Sequence, residues 1–219
     1  MKWNRNAGVL EDNGLFEEQI LGQSILAVAG DTLISVCELG KGGKVVSYRI
    51  HSDGSLERKD ILEFTSAKLS YCVTDPRGKY VFVSSMGDGT VKMIRIGDDG
   101  KLTLTDEYQL TGHSVTPRQA QAKVHSVMIS PDGSLLGAAN LGADELELFR
   151  VDYEREILRL VCAKACGLGE GAPAHGISSQ WKVLISADRG RQPALCLSDS
   201  ACVSLFSFSN TEIRSIALR

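Results

Sequence analysis

No stretch of this 219-residue chain holds enough consecutive apolar residues to cross a bilayer as a helix. Nor does charge of either sign dominate. The 24 lysines and arginines stand against 27 aspartates and glutamates, a net charge of −3 that predicts attraction to neither nucleic acid nor membrane. The opening Met1-Lys2-Trp3-Asn4-Arg5-Asn6 lacks the apolar segment of a secretory signal. Metal-ligand spacing is missing too, both among Cys162, Cys166, Cys196 and Cys202 and between His113 and His125. Cys37 and Cys72 fall in or beside apolar runs, where a free thiol packs as a small hydrophobe. These absences predict reduced thiols in a cytoplasmic protein, no metal or other cofactor, and no nucleic-acid or membrane partner.

What the chain does contain is a repeat. Lys123 to Asp152 reads as two strands joined by a turn, then a corner and a third strand. Ser130-Pro131-Asp132-Gly133 supplies the turn, with a proline that sets φ and a glycine free to take positive φ. Leu135 to Asn140 reads as a buried strand. Leu146 and Leu148, interleaved with Glu145 and Glu147, read as a half-buried one. Tyr71 to Ile96 has the same grammar, with Asp75-Pro76-Arg77-Gly78 as the turn, Tyr80 to Ser84 as the buried strand and Gly87-Asp88-Gly89 as the corner. Ile25 to Ile50 repeats it more loosely through Gly30-Asp31, Leu33 to Val36 and the corner Gly40 to Gly43. The first two copies run on through Asp53-Gly54 and Asp99-Gly100 into one more strand. The third departs, because Tyr153 and Glu154 follow Asp152 without a glycine. Copies about 50 residues apart, built of strands and Gly/Asp turns, predict four-stranded propeller blades, which bury their faces only against neighbouring blades.

Along the chain, residues 1–22 form an uncommitted segment in which Leu15 to Leu21 reads as a short helix or a strand remnant. Blades occupy 23–168, and no Pro/Ser linker interrupts the chain before Asp152. The longest irregular stretch, Leu110 to Val124, is polar and carries His113, Arg118, Gln119, Gln121 and Lys123. A long loop on a repetitive scaffold is where function usually sits.

Two blocks, LSYCVTDPRGKYVFVSSMGDGTVKMIRIGDDGKL and PRQAQAKVHSVMISPDGSLLGAANLGADELELFRVD, resemble the lactonase family of seven-bladed β-propellers. That family includes propeller-type 6-phosphogluconolactonase and is related to fungal carboxymuconate-lactonising enzymes. The likeness runs from about Ser24 to Asp152. It rests on Arg118-Gln119, on His125-Ser126-Val127 entering a strand, on the Asp132-Gly133 turn and on the corner from Asn140 to Asp144. The resemblance implies an all-β fold, a partial β-propeller of the seven-bladed lactonase type with roughly three to four blades. Glu38 stands in the place of the family's acidic strand-end residue, and His125 in the place of the second histidine of a Pro-His-x-His motif. Ala122 and Lys123 replace that motif's proline and first histidine. By resemblance His125, Arg118 and Glu38 are the catalytic candidates, facing a central channel, and Gln119, Lys123 and Asn140 the candidates for binding a small-molecule lactone.

Opening a sugar-acid lactone with water needs a general base for the water and cationic or hydrogen-bonding groups for the developing oxyanion. A phosphorylated substrate also needs Arg, Lys or His at its phosphate. The resemblance therefore implies a cytoplasmic hydrolase of carbohydrate metabolism, acting on a lactone such as 6-phosphogluconolactone in the pentose phosphate pathway. A non-catalytic binding scaffold and a muconate-type lactonising isomerase share the fold and remain as alternatives. The pattern breaks after Gly169-Glu170-Gly171, since Ala172 to Lys182 fits no blade. In the frame displaced by one nucleotide the same stretch can encode Gly-Pro-Arg-His-Met-Ala-Phe-His-Pro-Asn-Gly-Lys, which is family-like. Residues 169–219 are accordingly read as an aberrant, frameshifted segment without the family's Pro-Arg-His arginine and the glutamate that follows it. The expectation is a truncated, impaired enzyme that self-associates through open blade edges.

Overall fold

The computed structural model describes residues 2–4, 6–11, 23–39, 42–65, 68–165, 182–186, 194–199, 202–209 and 212–217. A small hairpin, β1 (Lys2–Asn4) with β2 (Val9–Glu11), precedes four antiparallel four-stranded sheets. The first holds β3 (Gln23–Ala29), β4 (Thr32–Leu39), β5 (Gly42–Ile50) and β6 (Leu56–Phe64). The second holds β7 (Leu69–Thr74), β8 (Tyr80–Ser85), β9 (Thr90–Ile96) and β10 (Leu102–Gln109). The third holds β11 (Val124–Ile129), β12 (Leu135–Asn140), β13 (Glu145–Asp152) and β14 (Ile157–Ala165). The fourth holds β15 (Lys182–Ser186), β16 (Ala194–Asp199), β17 (Cys202–Ser209) and β18 (Glu212–Ala217). In each, spatial order follows chain order. The first strands meet one another, β3 against β7, β7 against β11 and β11 against β15, so the sheets fan out from a common axis. This is the partial propeller that the repeat predicts.

The core lies between blades. Val36, Val45, Cys72, Val81, Val83 and Ile94 join the first blade to the second. Phe82, Met93, Val127, Leu136, Phe149 and Val151 join the second to the third. Burying each of the larger of these side chains contributes about 1.5–3 kcal/mol, so blade stacking, more than any single sheet, holds the array together. A polar clasp repeats at the periphery. The Asp60 carboxylate accepts the amide of Leu102 in the next blade at 2.8 Å, and Asp106 accepts that of Leu158 at 2.7 Å.

The expected turns form as the residues dictate, with Gly78 and Gly133 at φ of 68° and 75°. Asp75, buried, accepts the amides of Lys79 and Tyr80 at 2.7 and 2.8 Å and so closes its own turn. Two sequence expectations need correction. The third copy does continue into a fourth strand, because Glu156 takes the positive φ, 55°, that Gly54 and Gly100 take in the other blades. Tyr80 donates to the Glu156 carboxylate at 2.8 Å and Arg95 at 3.0 Å, which anchors that turn. And β13 is not half-buried: Glu147 is 4% exposed, since its side of the strand, shared with Phe149 and Val151, faces the second blade.

Candidate functional site

At one end of the array gather the starts of the first strands, the corners between second and third strands, and the loop 110–123. The first strands of the first three blades each carry a register shift at the same place, between Gln23 and Ile25, between Leu69 and Tyr71, and between Val124 and Ser126. The extra residue of such a bulge is released from the ladder and its side chain is re-aimed. In the three blades that residue is Ser24, Ser70 and His125. The Ser70 hydroxyl is committed, donating to the Val124 carbonyl at 2.7 Å and lying 3.0 Å from the Ser84 hydroxyl. His125 is exposed and has no hydrogen-bond partner among the described residues. An imidazole presented this way can take a proton from water, or give one, without first breaking a bond.

The loop beside it is held by backbone proximity and by buried amides. Its exit, Gln121 to Lys123, passes between two corner glycines. A Cβ on Gly89 would lie 2.7 Å from the Ala122 carbonyl oxygen, and one on Gly142 would lie 1.9 Å from that of Gln121. Asn140, at the end of β12 and 1% exposed, ties both loop ends. Its side chain accepts the amide of Lys123 and donates to the Thr111 carbonyl and to Glu147, each at 3.0 Å. Further out, the Ser114 hydroxyl donates to Asp144 at 2.5 Å, and Gln119 Nε2 donates to Asp144 at 2.8 Å and to the Leu141 carbonyl at 3.0 Å.

The residues singled out from sequence therefore have different standings. His125 and Arg118 are both exposed at this end, Arg118 on a 3₁₀ turn formed by Pro117–Gln119. Lys123 is half-buried and its ammonium donates to the Arg118 carbonyl at 2.5 Å. Gln119 spends its amide on the corner and accepts from the Thr116 hydroxyl at 2.8 Å. Asn140 is buried and saturated. Glu38 lies at the same end, its backbone paired with Gly43, but its side chain is outside the described residues. The break near Gly171 and the segment Leu15 to Leu21 also lie outside them.

Two charged residues not among the sequence-derived site candidates stand at matching places on third strands. Lys92, 1% exposed, donates to Thr90 at 2.7 Å and Glu107 at 2.6 Å. Glu147, opposite Ala138 as Lys92 is opposite Val83, has no ion-pair partner among the described residues. The only sequence signal was their sharing a repeat position with Val46 of the first blade, and that appears only once the corners are aligned.

A groove of about 730 Å³ opens at the opposite end, among Gly30, Asp31, Arg49, Asp75 to Lys79, Asp98 and Pro131. Its cations are already paired, Arg49 with Asp31, Arg77 with Asp75 and Lys79 with Asp98. The groove's charged side chains are thus paired with one another, whereas His125 at the other end has no partner among the described residues. Among the described residues no cluster of three His, Cys, Asp or Glu side chains could hold a metal ion. None of their helices is long and apolar enough to cross a membrane.

Comparison with known proteins gives the same architecture. A family described as lactonase, 7-bladed beta-propeller, matches residues 1–176. A 6-phosphogluconolactonase of Formosa agariphila is 26% identical over 172 residues, 74% of this chain and 49% of its own. The chain thus spans about half the length of that relative. Among solved structures, a Lactobacillus plantarum protein superposes with a TM-score of 0.74 at 21% identity, over 99% of this chain and 60% of its own. The periplasmic gluconolactonase of Pseudomonas aeruginosa superposes with a TM-score of 0.64 at 28% identity, over 89% of this chain and 56% of its own.

Proposed function

The chain belongs to the lactonase family of seven-bladed β-propellers, and from that premise we propose that it is an impaired hydrolase of sugar-acid lactones, with 6-phosphogluconolactone the first substrate to try. The observation that carries this reading is His125, exposed on a β-bulge beside the Arg118 loop and free of partners among the described residues. In the proposed reaction His125 takes a proton from the attacking water, and Arg118 stabilises the oxyanion or the substrate's phosphate. Buried free thiols at Cys37 and Cys72 support a reducing, cytoplasmic setting, although the Pseudomonas relative is periplasmic. Impairment is supported by the family match ending at residue 176, close to Gly171, where we place the loss of the reading frame.

The test is hydrolysis of freshly made 6-phosphogluconolactone by this chain and by a version with the frame restored after Gly171. Activity is expected in the restored protein and to fall by on the order of 10²-fold or more in its His125→Gln variant. Activity that survives His125→Gln refutes the role given to that residue. A second reading, a propeller used only for binding, is favoured by Gln119 and Asn140 being spent inside the fold. No turnover of any lactone by the restored protein would select it.

A further inference from the structure

Glu147 is not needed by the lactone chemistry, yet it sits where the loop is fastened. One carboxylate oxygen, Oε1, accepts from Asn140 Nδ2 at 3.0 Å. The other, Oε2, is buried without any hydrogen-bond partner. Buried polar atoms are seldom left in this state, because the low-dielectric interior magnifies the cost of an unmade bond. Asn140 also bonds Thr111 and Lys123, near the two ends of the loop, to the third blade, beside the Leu141 amide on the Lys123 carbonyl and the Asp144 carboxylate on Ser114 and Gln119. The strain of one buried carboxyl is therefore felt at an amide that is bonded near both ends of the fourteen-residue loop 110–123.

We propose that Glu147 is a proton-operated latch: protonated, it stays in the blade interface and keeps Asn140 fastened to both ends of loop 110–123; ionised, it admits water by letting that loop come away. Among the described residues Asn140 is the side chain that hydrogen-bonds it, and no cation is paired with its charge. On its own strand Glu145 faces the same side, adding repulsion. The second blade meets this face with Val91, Tyr108 and Leu110, and its Asp106 is committed to the Leu158 amide. The corner and loop offer Asp144, engaged by Ser114 and Gln119, together with His113 and Lys123, whose ammonium rests on the Arg118 carbonyl. Burial pushes the Glu147 carboxyl up to about 7, the hydrogen bond from Asn140 pulling the other way and Glu145 adding to the rise. Release of the loop therefore falls within the range in which a cell's pH varies. The latch stands independently of the lactonase reading, since opening is read without substrate.

Amide hydrogen exchange of the whole chain between about pH 5.5 and 8.5, corrected for intrinsic rates, measures it. Protection of residues 110–123 should fall on the order of tenfold or more with rising pH, while that of β8 and β9 stays level. Glu147→Gln should make loop protection independent of pH, and His113→Gln should leave the wild-type dependence in place. A flat profile in the wild type, a dependence that survives Glu147→Gln, or one abolished by His113→Gln overturns the proposal. Should Glu147→Gln not fold, trypsin cleavage of the wild type after Arg118 and Lys123, normalised to a peptide substrate, decides in its place. A rate that rises with pH supports the latch, and a constant one overturns it.

Discussion

Gly142 and Gly54 separate two reasons for a glycine, and replacing each with alanine tests how the loop is held. At Gly142 the backbone does not require positive φ, but a Cβ would stand 1.9 Å from the Gln121 carbonyl oxygen and 2.7 Å from the Lys123 amide nitrogen. Both atoms are backbone, so no side-chain rotation relieves the overlap, and the loop exit must move. Overpacking of this sort costs about 1–3 kcal/mol, and backbone contact places Gly142→Ala toward the top of that range. Loss of unfolded-state entropy returns about 0.4–1 kcal/mol, leaving a net destabilisation of about 2 kcal/mol. At Gly54 nothing lies within 4 Å, but φ is 83°. There the cost is that of a left-handed residue, about 1–2 kcal/mol, and the same entropy gain leaves about 1 kcal/mol. Urea unfolding gives the two free energies, and trypsin cleavage after Arg118 and Lys123 gives the local effect. Gly142→Ala should speed that cleavage and Gly54→Ala should not. Equal cleavage in both variants would refute the claim that the Gly142 corner seats the loop.

Three other outcomes follow from the geometry. Asp106→Ala removes the acceptor of the Leu158 amide at the second blade boundary and should cost about 1–3 kcal/mol in urea unfolding; a cost within error would mean the clasp is incidental. The Glu147 carboxyl is raised from 4.5 to about 7 in the folded state, so its contribution to stability is full below pH 4.5 and lost as pH rises through about 7. That difference corresponds to at most about 3 kcal/mol, less if the loop opens first, and Glu147→Gln should flatten stability against pH over this window; an unchanged slope would assign the dependence to other groups. Leu26 and Val28, each 59% exposed on β3, occupy the face that Cys72 and Val127 bury against the preceding blade in the next two repeats. Sedimentation should show concentration-dependent self-association that Leu26→Lys weakens, and a monomer at every concentration would remove that expectation.

Much of the blade architecture was legible in residue order because its signals are local. Pro131 and Gly133 make a turn wherever they stand together, and small apolar runs such as Leu135 to Ala139 read as buried strands from their own composition. The fourth strand of the third blade was hidden, because Glu156 takes a backbone conformation that sequence normally marks with glycine. Glu147 was misread for a different reason. Alternation along a strand shows that two faces differ, but not that another blade will cover the polar one.

The site divides along the same line. Sequence alone determined that a histidine would enter β11 beside a long polar loop, since His125 and residues 110–123 are contiguous in the chain. Tertiary structure alone decided which polar residues are free to act. Asn140 is saturated by Thr111, Lys123 and Glu147, and Gln119 by Leu141, Asp144 and Thr116, while His125 is set free by a bulge. The physical reason is that a hydrogen bond depends on distances across the fold. Residues 29 positions apart in the chain, Thr111 and Asn140, settle between them whether a side chain is structure or chemistry.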